Sequence, residues 1–74
     1  MTDYRNHIEI RSDVRFGKPC VKSTRIAVSD ILGWLANGMN TSEIITDFPE
    51  LTLEDVQACL AYAADKEHRT RVIS

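Results

Sequence analysis

Ser29-Asp30-Ile31-Leu32-Gly33-Trp34-Leu35-Ala36-Asn37-Gly38, then Thr41-Ser42-Glu43-Ile44-Ile45-Thr46-Asp47-Phe48-Pro49, then Thr52-Leu53-Glu54-Asp55-Val56 and on to Glu67, is the stretch that decides the fold. It divides into three helices with two short breaks. Gly38 is placed to end the first in the left-handed conformation, and Pro49 ends the second because a residue before proline resists helix. Two short helices and a longer one, tightly connected, is the pattern of a helix-turn-helix domain. An ordinary small helical bundle has the same pattern, so spacing alone leaves both open.

The caps and apolar faces follow from the same stretch. Ser29 is expected to cap the first helix, with Asp30 where the dipole favours an anion. Ile31, Leu32, Trp34 and Leu35 form its apolar side. Asn40 caps the second helix and Glu43 reaches back; Ile44, Ile45 and Phe48 are its buried side, and Leu51 plugs the corner. Thr52 and Asp55 make a capping-box-like start for the third helix. Leu53, Val56, Leu60 and Ala63 recur at helical spacing and predict its buried stripe, bordered by Cys59. Ala58, Ala61, Tyr62 and Ala64 widen that stripe and suit a second subunit. The helix is expected to end near Glu67, leaving residues 68–74 as a flexible tail.

Upstream, residues 1–28 form a β element. His7-Ile8-Glu9-Ile10-Arg11 alternates polar and apolar, so Ile8 and Ile10 share one face of a short strand. Phe16-Gly17-Lys18-Pro19 sets a bend. Cys20-Val21 suits a second strand, and Thr24 to Val28 alternates again. Strands this few and short must pack on the helices or on another chain. The expected fold is therefore α+β, mostly α: short N-terminal β-strands (1–28) followed by a three-helix domain (29–67).

Seventy-four residues make one domain that is marginal alone, so a staple is expected. Cys20 and Cys59 lie far apart, no C-x-x-C pair occurs, and His7 and His68 sit near opposite ends. That spacing predicts reduced thiols, no metal and no cofactor. It leaves a homodimer or a partner protein as the staple. No apolar run approaches the length a bilayer needs and the N-terminus is polar, so a cytoplasmic protein is expected, with no membrane partner. Net charge is −2, but residues 1–25 carry +3 and residues 26–74 carry −5. Such a split places a basic face on an acidic protein, or arises by chance in a small sample.

No phosphate loop, nucleophile elbow or metal-binding histidine pair is present, so no catalytic residue is assigned. A DNA-binding reading gains from the helix layout. The third helix would offer Thr52 and Gln57 to bases, but Glu54 and Asp55 repel phosphates there. Positive charge lies instead in Lys18, Lys22 and Arg25. Each lysine is either a phosphate contact or a solvated side chain. Arg25 either contacts phosphate or pairs with Asp30 or Asp55, and the ion pair is favoured. Trp34 is read as core or subunit interface rather than a stacking platform. Arg69 and Arg71, with Val72 and Ile73 beside them, are a polar tail or a segment that orders on a partner.

Gly17-Lys18-Pro19, Thr24-Arg25-Ile26-x-Val28-x-Asp30-Ile31-Leu32, Gly38-Met39, Ile44-x-x-x-Phe48-Pro49-x-Leu51-Thr52-x-Glu54-Asp55-Val56 and Ala58-x-Leu60-Ala61-Tyr62-Ala63 together resemble one bacterial family. It is known as domain of unknown function 433 and described as predicted antitoxins of VapB type. The resemblance covers roughly residues 8–64. It implies a short β element, a homeodomain-like helix-turn-helix and a PIN-like ribonuclease toxin as partner. Two positions depart from the usual pattern: Ser23 stands where Gly is common, and Ala27 where Pro is common. The expectation is a homodimeric, antitoxin-like DNA-binding protein that neutralises a PIN-like ribonuclease and represses its own promoter. Lys18, Lys22, Arg25, Thr52 and Gln57 would face DNA; Arg69, Arg71, Val72 and Ile73 would face the toxin. The alternative is a protein-interaction module that binds a partner without touching DNA.

Overall fold

The computed structural model describes residues 4–73, with the side chains of residues 68–73 outside that description. A single 3-10 turn (Tyr4–Asn6) leads into β1 (Ile8–Ile10). A tight turn (Arg15–Gly17) leads into β2 (Pro19–Val21), and α1 (Val28–Ala36), α2 (Thr41–Asp47) and α3 (Leu53–Ile73) follow. The fold is α+β and mostly α, as the hydrophobic pattern predicts. The third helix runs on to Ile73, past the expected end at Glu67.

β1 and β2 pair antiparallel, Ile8 opposite Val21 and Ile10 opposite Pro19. Ile8 and Val21 are buried, whereas Ile10, on the same face, is 63% exposed, beyond the cover of the helices. The alternation from Thr24 to Val28 does not become a third strand. The Thr24 hydroxyl donates to the Val21 carbonyl (2.9 Å) and accepts the Ile26 N–H (3.0 Å), curling the chain instead of extending it. All that remains of a strand is one bridge, Cys20 to Ala27. Ser23, in that curl, holds a left-handed φ of 66°. A residue without Cβ adopts this conformation freely, which explains the family's usual glycine there.

α1 begins at Val28, so Ser29 lies inside the helix and Ala27 is the N-cap. Alanine has no side-chain acceptor. Asp30 supplies the missing partner from within the first turn, accepting the Ala27 N–H at 3.1 Å. Proline at position 27 would have no N–H to give. At the other end, Met39 N–H bonds to Trp34 O and Gly38 N–H to Leu35 O, both at 3.1 Å, with Gly38 at φ 99°. This is a Schellman closure, which needs the left-handed residue that Gly38 provides. In α2 the Asn40–Glu43 capping box forms in both directions at 2.9 Å.

The core lies where β2, α1, α2 and α3 meet. Ile31, Ile44, Leu51 and Val56 are buried to within 2%. Fully burying an aliphatic of this size stabilises by about 1.5–3 kcal/mol. Trp34 stacks on Phe48, ring centroids 4.4 Å apart and planes 7° from parallel, so α1 is clamped to the end of α2. That bears out Trp34 as a packing residue.

α3 buries only part of the expected stripe. Val56, Ala58 and Cys59 are buried, while Leu60 is 47% and Leu53 49% exposed. The helix is turned so that its small residues Ala58 and Cys59 meet the core, both fully buried. Tyr4 secures the N-terminal turn to the same helix: its hydroxyl donates to Asp65 Oδ2 at 2.6 Å and its ring meets Tyr62 edge-on at 5.3 Å.

Candidate interaction surface

The residues predicted to face DNA do not form one cluster. Lys18 and Lys22 are both exposed but lie at opposite ends of β2. A strand rise of about 3.3 Å per residue sets their Cα atoms roughly 13 Å apart. Lys22 sits at the end shared with His7, whose carbonyl accepts its N–H at 2.7 Å. Lys18 sits at the end near Asp30 and the second half of α3.

Arg25 is exposed, and among the described residues its side chain makes neither expected ion pair. Arg15 takes Asp30 instead, Nη1 to Oδ2 at 2.9 Å, and also donates to the Arg25 carbonyl at 3.0 Å. Asp55 is held by His7, whose Nδ1 lies 2.9 Å from Oδ1. The turn at 15–17 brings Arg15 to Asp30, a contact that sequence spacing did not suggest. Burial alone would push the Asp30 carboxyl upward. The Arg15 hydrogen bond, the Ala27 N–H and the charges of Arg15 and Lys18 outweigh it and hold the carboxyl below its usual range.

Thr52 caps α3 rather than standing free. Its Oγ1 accepts the Asp55 N–H at 3.2 Å and its own N–H donates to Asp55 Oδ2 at 3.0 Å. Gln57 is exposed one turn further on, beside the acidic first turn of Glu54 and Asp55. Arg69, Arg71, Val72 and Ile73 belong to the part of α3 whose side chains lie outside the described residues. Burial pushes the Cys59 thiol up to about 12, with the Asp55 carboxylate adding to it, so it stays protonated at neutral pH. Cys20 is buried as well, and neither cysteine is in a disulfide. Among the described residues no group of acids, histidines and cysteines is arranged to hold a metal. No helix among them is long and apolar enough to cross a membrane.

What the surface does carry is exposed apolar side chains in two places. The first is the outer face of α3. Leu53, Gln57, Leu60 and Ala64 are all exposed and follow one another at spacings of four, three and four, so they share a face. The second is Phe16, which is 99% exposed. It sits in three consecutive residues with left-handed φ: Arg15 at 51°, Phe16 at 57° and Gly17 at 80°. Left-handed backbone costs roughly 1–2 kcal/mol per residue that carries a Cβ. Leaving the ring in water forgoes about 1.5–3 kcal/mol more. The turn is nonetheless held by Gly17 N–H to Val14 O (3.1 Å), Lys18 N–H to Arg15 O (3.2 Å) and the Arg15–Asp30 pair. The sequence shows Phe16 only as part of a bend, because φ and exposure leave no mark on composition.

Beside this turn lies a groove of about 510 Å³ between the start of β2, α1 and α3. Pro19, Val28, Leu32, Tyr62 and Ala63 line it, with Lys18, Lys66 and Glu67 at its polar edge. Lys66 also stands 5.3 Å from the Tyr62 ring centre.

The family model described as "Protein of unknown function (DUF433)" matches residues 8–63. No curated protein matches the chain. Among solved structures, a DUF433 member protein from Anabaena variabilis ATCC 29413 is similar, with 28% identity and a TM-score of 0.81. The match covers 88% of this chain and 64% of that one, so the chain spans just under two thirds of that protein's length.

Proposed function

The chain belongs to the DUF433 family, and from that premise we propose that it is an antitoxin-like binding protein without catalytic activity, acting as a homodimer. Its main act is to hold and neutralise a partner protein, the PIN-like ribonuclease that the family resemblance implies. The observation that carries this reading is the outer face of α3. Leu53 and Leu60 lie on one exposed face of a helix whose opposite face is already in the core. An amphipathic domain helix needs only one apolar face. Leu53 and Leu60, on either side of Gln57, offer a partner two apolar anchors on that face.

Promoter binding is the second act. It is favoured by Lys18, Lys22 and Arg25 all being exposed. Separated along the β element, they suit backbone contacts, which position a protein without reading bases. The acidic start of α3 makes base reading by that helix unfavourable.

The test is neutralisation. The reading frame beside this one is expressed with the chain, and RNA cleavage is followed with and without it. Cleavage should fall as the chain is added, and Leu53→Glu plus Leu60→Glu should abolish the effect while the helical circular dichroism is kept. A neighbour with no nuclease activity, or cleavage indifferent to the chain, refutes the reading.

A further inference from the structure

We propose that two copies of this chain pair by exchanging Phe16: each ring enters the groove of the other copy between β2, α1 and α3. The proposal deepens the homodimer part of the reading above and uses a surface separate from the outer face of α3. Knob and groove are both present on one chain. Phe16 is 99% exposed and fixed by a hydrogen-bonded left-handed turn, so it is presented already ordered. The groove is lined mainly by apolar side chains. An enclosed cavity of about 150 Å³ accepts a benzene ring, so a groove of about 510 Å³ has room for a phenyl group.

The placement favours a second copy over an unrelated occupant. Lys18 and Pro19 belong to the groove, and Lys18 is two residues beyond Phe16. The two Cα atoms are therefore at most roughly 7 Å apart. Knob and groove thus lie near each other on one chain, which suits a self-complementary contact about a two-fold axis. Such a contact closes on itself after two copies. Arg15, beside the ring, is already paired with Asp30, so insertion brings no unpaired guanidinium with it. Among the described residues neither a disulfide nor a metal cluster staples the domain.

The test is complementation in sedimentation. Wild type should sediment near twice the 8.4 kDa chain mass. Phe16→Ser removes the knob, Ala63→Trp fills the groove, and each should sediment as a single chain. An equimolar mixture should associate again, since the intact groove of the first receives the ring of the second. Tryptophan at half-buried Ala63 can disturb the helix, so Phe16→Cys mixed with Ser29→Cys, Ser29 being an exposed residue of the groove lining, is the second arm. Oxidation should join these two chains preferentially to each other. A monomeric wild type overturns the homodimer and this contact together. A dimeric Phe16→Ser, a mixture that associates no more than its components, or no mixed disulfide overturns the contact alone. None of these arms reads nuclease neutralisation, so failure there is seen separately.

Discussion

Ser23 shows how one residue departs from its family and what that costs. At φ 66° its Cβ is in the left-handed region, while its N–H donates to Glu9 Oε1 at 3.2 Å. Ser23→Gly keeps that backbone bond and removes the steric cost. The gain is set against the extra freedom of glycine in the unfolded chain. A net stabilisation of about 1 kcal/mol is expected, a rise in Tm of roughly 4–8 °C for a domain of this size. A thermal melt that falls instead would show that the serine side chain has a role the geometry does not reveal. Ala27 is the opposite case: its N–H is used by Asp30, so this departure from the family's proline adds a hydrogen bond.

Asp30 also sets an acid limit. Its carboxyl titrates lower in the folded chain than in the unfolded one. Stability from such a group is present above the ordinary carboxylate value of about 3.9 and is lost as pH falls through the lower folded value. Asp30→Asn should therefore melt below wild type at neutral pH, by a margin tempered by the partial exposure of the pair. The margin should begin to shrink as pH drops below about 3.9, where the unfolded chain takes up the proton, and should be lost once pH falls below the lower folded value. A gap independent of pH would place the contribution of Asp30 in its shape, not its charge.

At the scale of the element, α3 is the informative case. Its leucines suggest one stripe and its small residues another, offset around the helix. Core contact chose the face of Ala58 and Cys59, with Val56 the one member of the leucine stripe that is buried with them. Ile44→Ala, in a fully buried site, should cost about 2–5 kcal/mol and bring a small domain near unfolding. Leu60→Ala should stay within about 0.5 kcal/mol of wild type, as surface changes do. Chemical denaturation of the two variants distinguishes them, and a large loss at Leu60 would mean that its face is covered. The two capping boxes, Asn40 with Glu43 and Thr52 with Asp55, are purely local and formed as their spacing implies. The expected cap at Ser29 did not form for a tertiary reason: the bridge between Cys20 and Ala27 accompanies an N-cap two residues earlier, at Ala27.

For the molecule as a whole, charge is spread along β2. Lys18 and Lys22 at opposite ends can touch separate phosphates, and each contact releases counterions. Replacing both by alanine should flatten the salt dependence of promoter binding by up to about two units and weaken all sequences alike. Gln57→Ala should leave the slope unchanged. An unchanged slope in the lysine pair would remove the β element as the DNA contact.

By itself the sequence determined the helix breaks, the caps of α2 and α3, the two paired strands and the burial of Ile31, Ile44, Leu51 and Val56. All of these depend on local spacing or on chain stops such as Gly38 and Pro49, which act within a few residues. The family too was legible in the run from Gly17 to Ala63. Only the tertiary structure decided which face of α3 is inside, since two apolar stripes of equal period differ only in what packs against them. It alone assigned Arg15 to Asp30 and His7 to Asp55, because both pairs bridge distant parts of the chain. And it alone set Phe16 in water beside an apolar groove. A phenylalanine in a bend has the composition of a core residue, and its exposure depends on backbone angles that no pattern of residue types encodes.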